Sequence, residues 1–207
     1  MANAREILSR MKSVQDTRKI TNAMYLISST KLKKSKKLLE ETEPYFYSLQ
    51  DLIRRILRHM PDVEHFYFNP RKEIKEEDRV KGLIVITGDK GLAGAYNHNV
   101  LKMAQEWMEQ SKNHRLYVVG ELGRHYFEAR HVQVEEQFHY TVQNPTMHRA
   151  RLISSTILED YEEGRLDEVW IIYTQMMNSM QMEAEMTELL PLKREDFSNI
   201  VIPADII

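Results

Sequence analysis

The sequence predicts an α/β protein, a long N-terminal coiled-coil helix followed by a doubly wound, mostly parallel five-stranded sheet domain. Three observations predict it. Apolar and small residues recur in steps of three and four through the first sixty residues, the period of an amphipathic helix. No glycine occurs before Gly82. From Gly82 onward, short apolar runs alternate with helix-period stretches and are punctuated by glycine, as in a chain that builds strands and helices in turn.

The helix comes first. Its stripe runs through Ile7, Met11, Val14, Thr17, Thr21, Met24, Ser28, Lys31 and Ser35, and is widened by Ile20, Ile27, Leu32 and Leu38. This spacing makes a coiled-coil seam, although Thr and Ser stand where Leu or Ile would pack best. The pattern resumes after Pro44 at Leu49, Leu52, Ile53, Ile56 and Leu57, so Pro44 reads as a kink inside one helix over 1–60. A single seam cannot bury itself and is marginal alone in water. It requires a partner helix; without one, fraying or pairing with another copy is the expectation.

A charged connector over 61–81 leads to an α/β domain over 82–198. The apolar run 82–87 is the first strand, followed by a glycine-rich turn over 88–94 and a helix over 95–110. A second strand at 116–119 and a helix at 122–129 precede a third strand at 132–135. A helix from Met147 to Glu163 is closed by Gly164. Strands at 168–174 and 183–191 end the domain as an antiparallel hairpin.

Composition removes several function classes. With 42% hydrophobic and 29% charged residues, the 207-residue chain is globular. No apolar run is long enough to span a bilayer, and the N-terminus lacks the apolar core of a signal peptide. The absence of cysteine excludes disulfides and thiolate metal sites. Charge is divided unevenly: 13 Lys and Arg against 6 Asp and Glu through Met60, then 16 against 25, predicting two units with different partners. The basic run Lys31-Leu-Lys-Lys-Ser-Lys-Lys37 is a solvated face or a contact for an acidic protein surface or anionic lipid. No aromatic platform or recognised motif accompanies it, which argues against nucleic acid.

Candidate chemistry is sparse. Thr87-Gly-Asp-Lys-Gly-Leu-Ala-Gly-Ala-Tyr-Asn97 lies between a strand and a helix, where α/β folds hold phosphate. Its glycines, at 88, 91 and 94, fit neither Gly-x-Gly-x-x-Gly nor a P-loop, so a tight structural turn is preferred to a nucleotide site. His125, His131, His139 and His148 lack metal-ligand spacing, and no nucleophile elbow is present. The acid pairs at 135–136, 159–160 and 162–163 read as surface charges, and Met176, Met177, Met180, Met182 and Met186 as hairpin packing. No catalytic, cofactor-binding or metal residue is predicted, and the chain is not expected to be an enzyme.

Two motifs carry a family resemblance. Ile7–Lys31 resembles the first helix of the γ subunits of rotary ATP synthases, with Met11, Ser13, Val14, Thr17, Lys19, Ile20, Thr21, Ala23, Met24 and Lys31 matching a pattern like R-I-x-S-V-x-x-T-x-K-I-T-x-A-M followed by lysine. Ile86–Asn97 is similar to that family's I-T-S-D-x-G-L-C-G-G-Y-N, matched at Thr87, Asp89, Gly91, Leu92, Gly94, Tyr96 and Asn97, with Lys90 at its variable place. Gly88, Ala93 and Ala95 depart from it. Glu43-Pro-Tyr45 adds a third likeness.

The resemblance implies a central-stalk rotor that couples ion-driven rotation to ATP synthesis or hydrolysis in an α3β3 head. Lys12, Thr17, Lys19, Met24 and Lys31 would face the head, and Lys33, Lys34, Lys36 and Lys37 would lie toward the membrane ring of c subunits. The α/β domain would contact the ε subunit, with nucleotide bound on α and β and no cofactor here. The protein would be peripheral on the cytoplasmic side of the bacterial membrane. It further implies that 199–207 leads into a long C-terminal helix, which the sequence does not contain and which would form the coiled coil with the first. Two rival readings are a nucleotide- or small-ligand-binding α/β module signalling through its helix, and a coiled-coil adaptor with a basic patch.

Overall fold

The computed structural model describes residues 2–178 and 180–198. The predicted lead-in at 199–207 lies outside the described residues. The chain divides into two compact units, one comprising Met1–Asp62 together with the chain from Glu195 onward, the other spanning Val63–Arg194.

The first helix, α1, is Ala2–His59, and Pro44 does not end it. At about 1.5 Å per residue its 58 residues span roughly 87 Å. Its apolar row is exposed, with Ile7 and Met11 at 53% and Val14 at 67%. The seam threonines turn inward. The hydroxyl of Thr17 donates to the Ser13 carbonyl and that of Thr21 to the Thr17 carbonyl, both at 2.9 Å. Their methyl groups are left facing outward.

In the second unit, strands β1 (Lys81–Ile86), β2 (His114–Val119), β3 (Glu168–Met176) and β4 (Met182–Leu190) form one sheet in the order β2-β1-β3-β4. β1 pairs parallel with β2 and β3, and β3 antiparallel with β4. Helix α2 (Tyr96–Gln110) connects β1 to β2, while α3 (Glu121–Glu128) and α4 (Met147–Glu162) carry the chain across to β3. Alternation along the strands sorts the core into two faces. Leu83, Val85, Leu116 and Val118 pack with Val100, Leu101 and Ala104 of α2 and Phe127 of α3. Ile84, Tyr117 and Val119 pack with Ile157 and Tyr161 of α4 on the other side. The unit ends at Arg194, the first residue of a short helix, α5 (Arg194–Ser198).

The sheet has four strands among the described residues, not five. The segment expected as the third strand, 132–135, lies beside β2, but its Glu135 amide makes a single bond to the Leu116 carbonyl at 2.9 Å. A turn from Glu135 to Phe138 then directs Val134 and Phe138 into the two cores. The chain returns to β2 only at the isolated bridge between Val119 and Tyr140. Inward apolar anchors thus outweigh ladder formation here. A second expectation also fails: Asp160 is buried, not a surface charge. It accepts hydrogen bonds from Tyr117 Oη and from Arg165 Nε at 2.6 Å.

The connector is pinned by ion pairs at the N-terminal ends of β1 and β3. Arg71, held at φ 45°, donates to the Leu166 carbonyl at 2.6 Å, the Tyr161 carbonyl at 2.7 Å and Asp167 Oδ1 at 2.8 Å. Its guanidinium lies 4.3 Å from the Tyr161 ring centroid. Arg79 reaches Glu168 at 3.0 Å, and Asp167 Oδ2 accepts the Val80 amide at 2.8 Å.

Candidate functional site

The turn after β1 is the first candidate, and its geometry assigns its side chains to the fold. Thr87 is fully buried; its amide donates to the Val119 carbonyl at 2.9 Å and its Oγ1 accepts the Gly123 amide at 3.0 Å. The Gly88 carbonyl accepts the Leu122 amide at 3.2 Å. Asp89 Oδ1 accepts the Glu121 amide and the Val142 amide, each at 3.2 Å. The first three amides of α3 are therefore satisfied by this turn, although Gly120, the residue before the helix, offers no side-chain cap. From the other side, Asn97 Oδ1 of α2 accepts the Gly88 amide at 2.7 Å.

The structure thus brings together Thr87, Asp89 and Asn97 of the predicted motif. Lys90, Gly91, Leu92 and Gly94 stay at the surface, and Tyr96 is half-buried. Leu92 is 95% exposed and Leu92 and Gly94 have φ near +60°, at 60° and 57°. Thr87, Gly88 and Asp89 are thus committed to the α3 amides, and Asn97 to the turn's own backbone. The turn is a clamp between β1 and α3.

Two groups escaped sequence reasoning. Tyr117 and Asp160 meet across the sheet face; burial first, then the hydrogen bond to Asp160, pushes the Tyr117 hydroxyl well above its ordinary range. The Arg71–Asp167 and Arg79–Glu168 pairs form from residues about ninety apart. The only local signal was an acidic pair placed just ahead of an apolar strand.

The second candidate is α1. Lys12, Thr17, Lys19, Met24 and Lys31 are all exposed. At 3.6 residues per turn, positions seven apart lie nearly in line. Lys12 and Lys19 therefore form one row, and Thr17, Met24 and Lys31 another, roughly 140° away around the helix. Surroundings on more than one side are needed to touch all five. Lys33, Lys34 and Lys37 are exposed too and Lys36 is half-buried, with Lys37 beside Glu41 at 3.7 Å. No helix among the described residues is long and apolar enough to cross a membrane. No cluster of His, Cys, Asp or Glu among them could hold a metal ion.

Comparison with known proteins bears on the whole chain. The sequence model of the family described as ATP synthase matches residues 3–205. The ATP synthase gamma chain of Acetivibrio thermocellus is 45% identical over 193 residues, covering 93% of this chain and 65% of that one. That of Ruminiclostridium cellulolyticum is 45% identical over 199 residues, 94% of this chain and 67% of that one. The Acetobacterium woodii protein named ATP synthase gamma chain, sodium ion specific, is 36% identical over 94% of this chain and 63% of its own length. The chain thus spans about two thirds of the length of these relatives. Among solved structures, the central stalk and c-ring of the Tetrahymena thermophila mitochondrial ATP synthase matches with a TM-score of 0.48 and 19% identity over 76% of this chain and 71% of that chain. On the sequence matches, which reach from one motif through the other and beyond, the chain belongs to the ATP synthase gamma chain family.

Proposed function

We propose that this chain is the central rotor element of an ATP synthase and performs no chemistry itself. α1 turns inside the ring of α and β subunits, and the nucleotide sites are theirs. The observation that carries this reading is α1 itself, an exposed 58-residue helix in a chain of this family, whose seam threonines spend their hydroxyls on its own backbone. Such a surface presents methyl groups and asks for no fixed hydrogen-bond partner. It can slide past successive neighbours without leaving a polar group unsatisfied.

Lys12 and Lys19 on one row, and Thr17, Met24 and Lys31 on the other, meet the head from different sides at any one angle. A helix that presents unlike rows stabilises unlike conformations in the subunits around it. That difference is the coupling free energy between rotation and nucleotide affinity. Lys33, Lys34, Lys36 and Lys37 face the membrane ring of c subunits, the α/β unit binds ε, and the assembly is peripheral to the cytoplasmic side of the membrane. The clamp at Thr87–Asn97 supports this reading over the ligand-binding rival, since Thr87, Asp89 and Asn97 are committed to backbone partners within the fold.

Co-expression of the full chain with α and β subunits tests the proposal. The chain is expected to co-purify with an α3β3 assembly, and Lys12→Glu with Lys19→Glu to weaken that association. A folded chain that binds neither subunit would refute it.

A further inference from the structure

Strand β4 ends the sheet, and its ladder partner among the described residues is β3 alone. Its other edge therefore carries an unpaired row of amides and carbonyls along nine residues, roughly 30 Å of template. Such edges are ordinarily blunted by lysine, proline or a covering element. The strand MEAEMTELL contains neither lysine nor proline, and its one register shift lies at the end nearer Leu190.

Side chains sort by alternation. Met182, Ala184 and Met186 pair opposite Met176, Thr174 and Ile172 on the face that α2 covers, and Ala184 packs against that core. Met182 and Met186 remain 55% and 42% exposed. Glu183 and Glu185 stand on the opposite face, across from Gln175 and Tyr173. Neither meets a cation among the described residues: Glu183 accepts from Gln181 Nε2 at 2.5 Å, and Glu185 lies 2.8 Å from the Gln175 carboxamide.

We infer that the free edge of β4 docks an extended segment of another polypeptide, one that alternates apolar with basic residues. The added strand sets its apolar side chains against Met182 and Met186 and its Lys or Arg beside Glu183 and Glu185. Backbone bonds to the open edge supply affinity, and alternate side chains supply selection. Methionine, unbranched and flexible, adapts to the apolar row. Charge identifies the occupant. A second copy of this chain would bring Glu183 and Glu185 from each strand onto one ribbon, while Glu188 is already paired with Lys193, and like charges opposite each other destabilise a sheet. The inference goes beyond the rotor reading and stands whether or not α1 turns within a head.

The test uses the full chain with two probes, a ten-residue peptide alternating valine and lysine and its counterpart alternating valine and glutamate. Hydrogen exchange over 182–190 and fluorescence anisotropy of labelled peptide are measured. The valine–lysine peptide is expected to slow exchange at β4 and leave the central β1 unchanged. Its binding should weaken about three- to tenfold in Glu183→Gln/Glu185→Gln, a pair of changes whose fold is verified by circular dichroism. Equal protection by both peptides would overturn the inference, as would no protection at millimolar valine–lysine peptide. Protection that rises with protein concentration in the absence of peptide would make a second copy the occupant and would also overturn it.

Discussion

Two buried tyrosines separate residues that hold the fold from residues that merely fill it. Tyr117 Oη donates to Asp160, whereas Tyr161 Oη is buried with no hydrogen-bond partner among the described residues. Tyr117→Phe should lower stability by about 1–3 kcal/mol, because it takes a donor from a buried carboxylate. Tyr161→Phe keeps the ring beneath Arg71 and removes an orphaned hydroxyl, so its unfolding midpoint in urea should match or exceed that of the parent. A third tyrosine reports on pH. Tyr67 Oη donates to Glu162 at 2.6 Å, and burial, then that carboxylate, raises its pKa from 10.0 to about 12. The folded state holds this proton more tightly than the unfolded state. The stabilisation is therefore complete below pH 10 and lost as pH rises toward 12. Denaturation between those values should show a steeper loss in the parent than in Tyr67→Phe. None of these partnerships was legible in the sequence, since Asp160 read as half of a surface acid pair and its tyrosine lies 43 positions away.

Elements were more legible than contacts, and the reason is periodicity. α1, α2, α4 and the four strands each repeat their apolar residues often enough to declare their type. The segment 132–135 did not, because Val132 and Val134, both packed against one core, look in sequence like the alternation of a strand. The clamp between β1 and α3 was visible as a motif but not as a mechanism. Its glycines show why. A Cβ on Gly123 would stand 2.6 Å from Thr87 Oγ1, and one on Gly120, at φ 103°, also 2.6 Å from that oxygen. Gly120→Ala and Gly123→Ala should each destabilise by about 3 kcal/mol or more, as left-handed backbone or overpacking meets a site that cannot shift. Asp89→Ala, which removes a cap from α3, should cost about 1 kcal/mol by thermal denaturation. If the turn is a clamp, titration with ATP or NAD to millimolar concentration gives no saturable binding; saturation abolished by Asp89→Ala would make it a ligand site.

At the scale of the whole molecule, charge and exposure divide the work between two units. The basic helix region carries 13 Lys and Arg against 6 Asp and Glu, and the remainder 16 against 25. The helix presents an apolar row that stays in water, while the α/β unit buries its apolar residues on both faces of a sheet. The sequence made this legible as a seam without a partner, but it could not say that the seam hydroxyls turn onto their own backbone. That detail follows from side-chain geometry and is the one on which the proposed rotor reading depends, because it bears on whether the surface would stick or slide. The measurement that tests this account most directly is rotation. The chain is exchanged for the matched 193 residues of the Acetivibrio thermocellus gamma chain, assembled with that organism's α and β subunits, and observed by a probe attached to the α/β unit under ATP. The account predicts unidirectional, stepwise rotation, unchanged when Thr17 and Thr21 are both changed to valine and slowed when both are changed to lysine. An assembled, ATP-hydrolysing complex whose probe does not turn would contradict it.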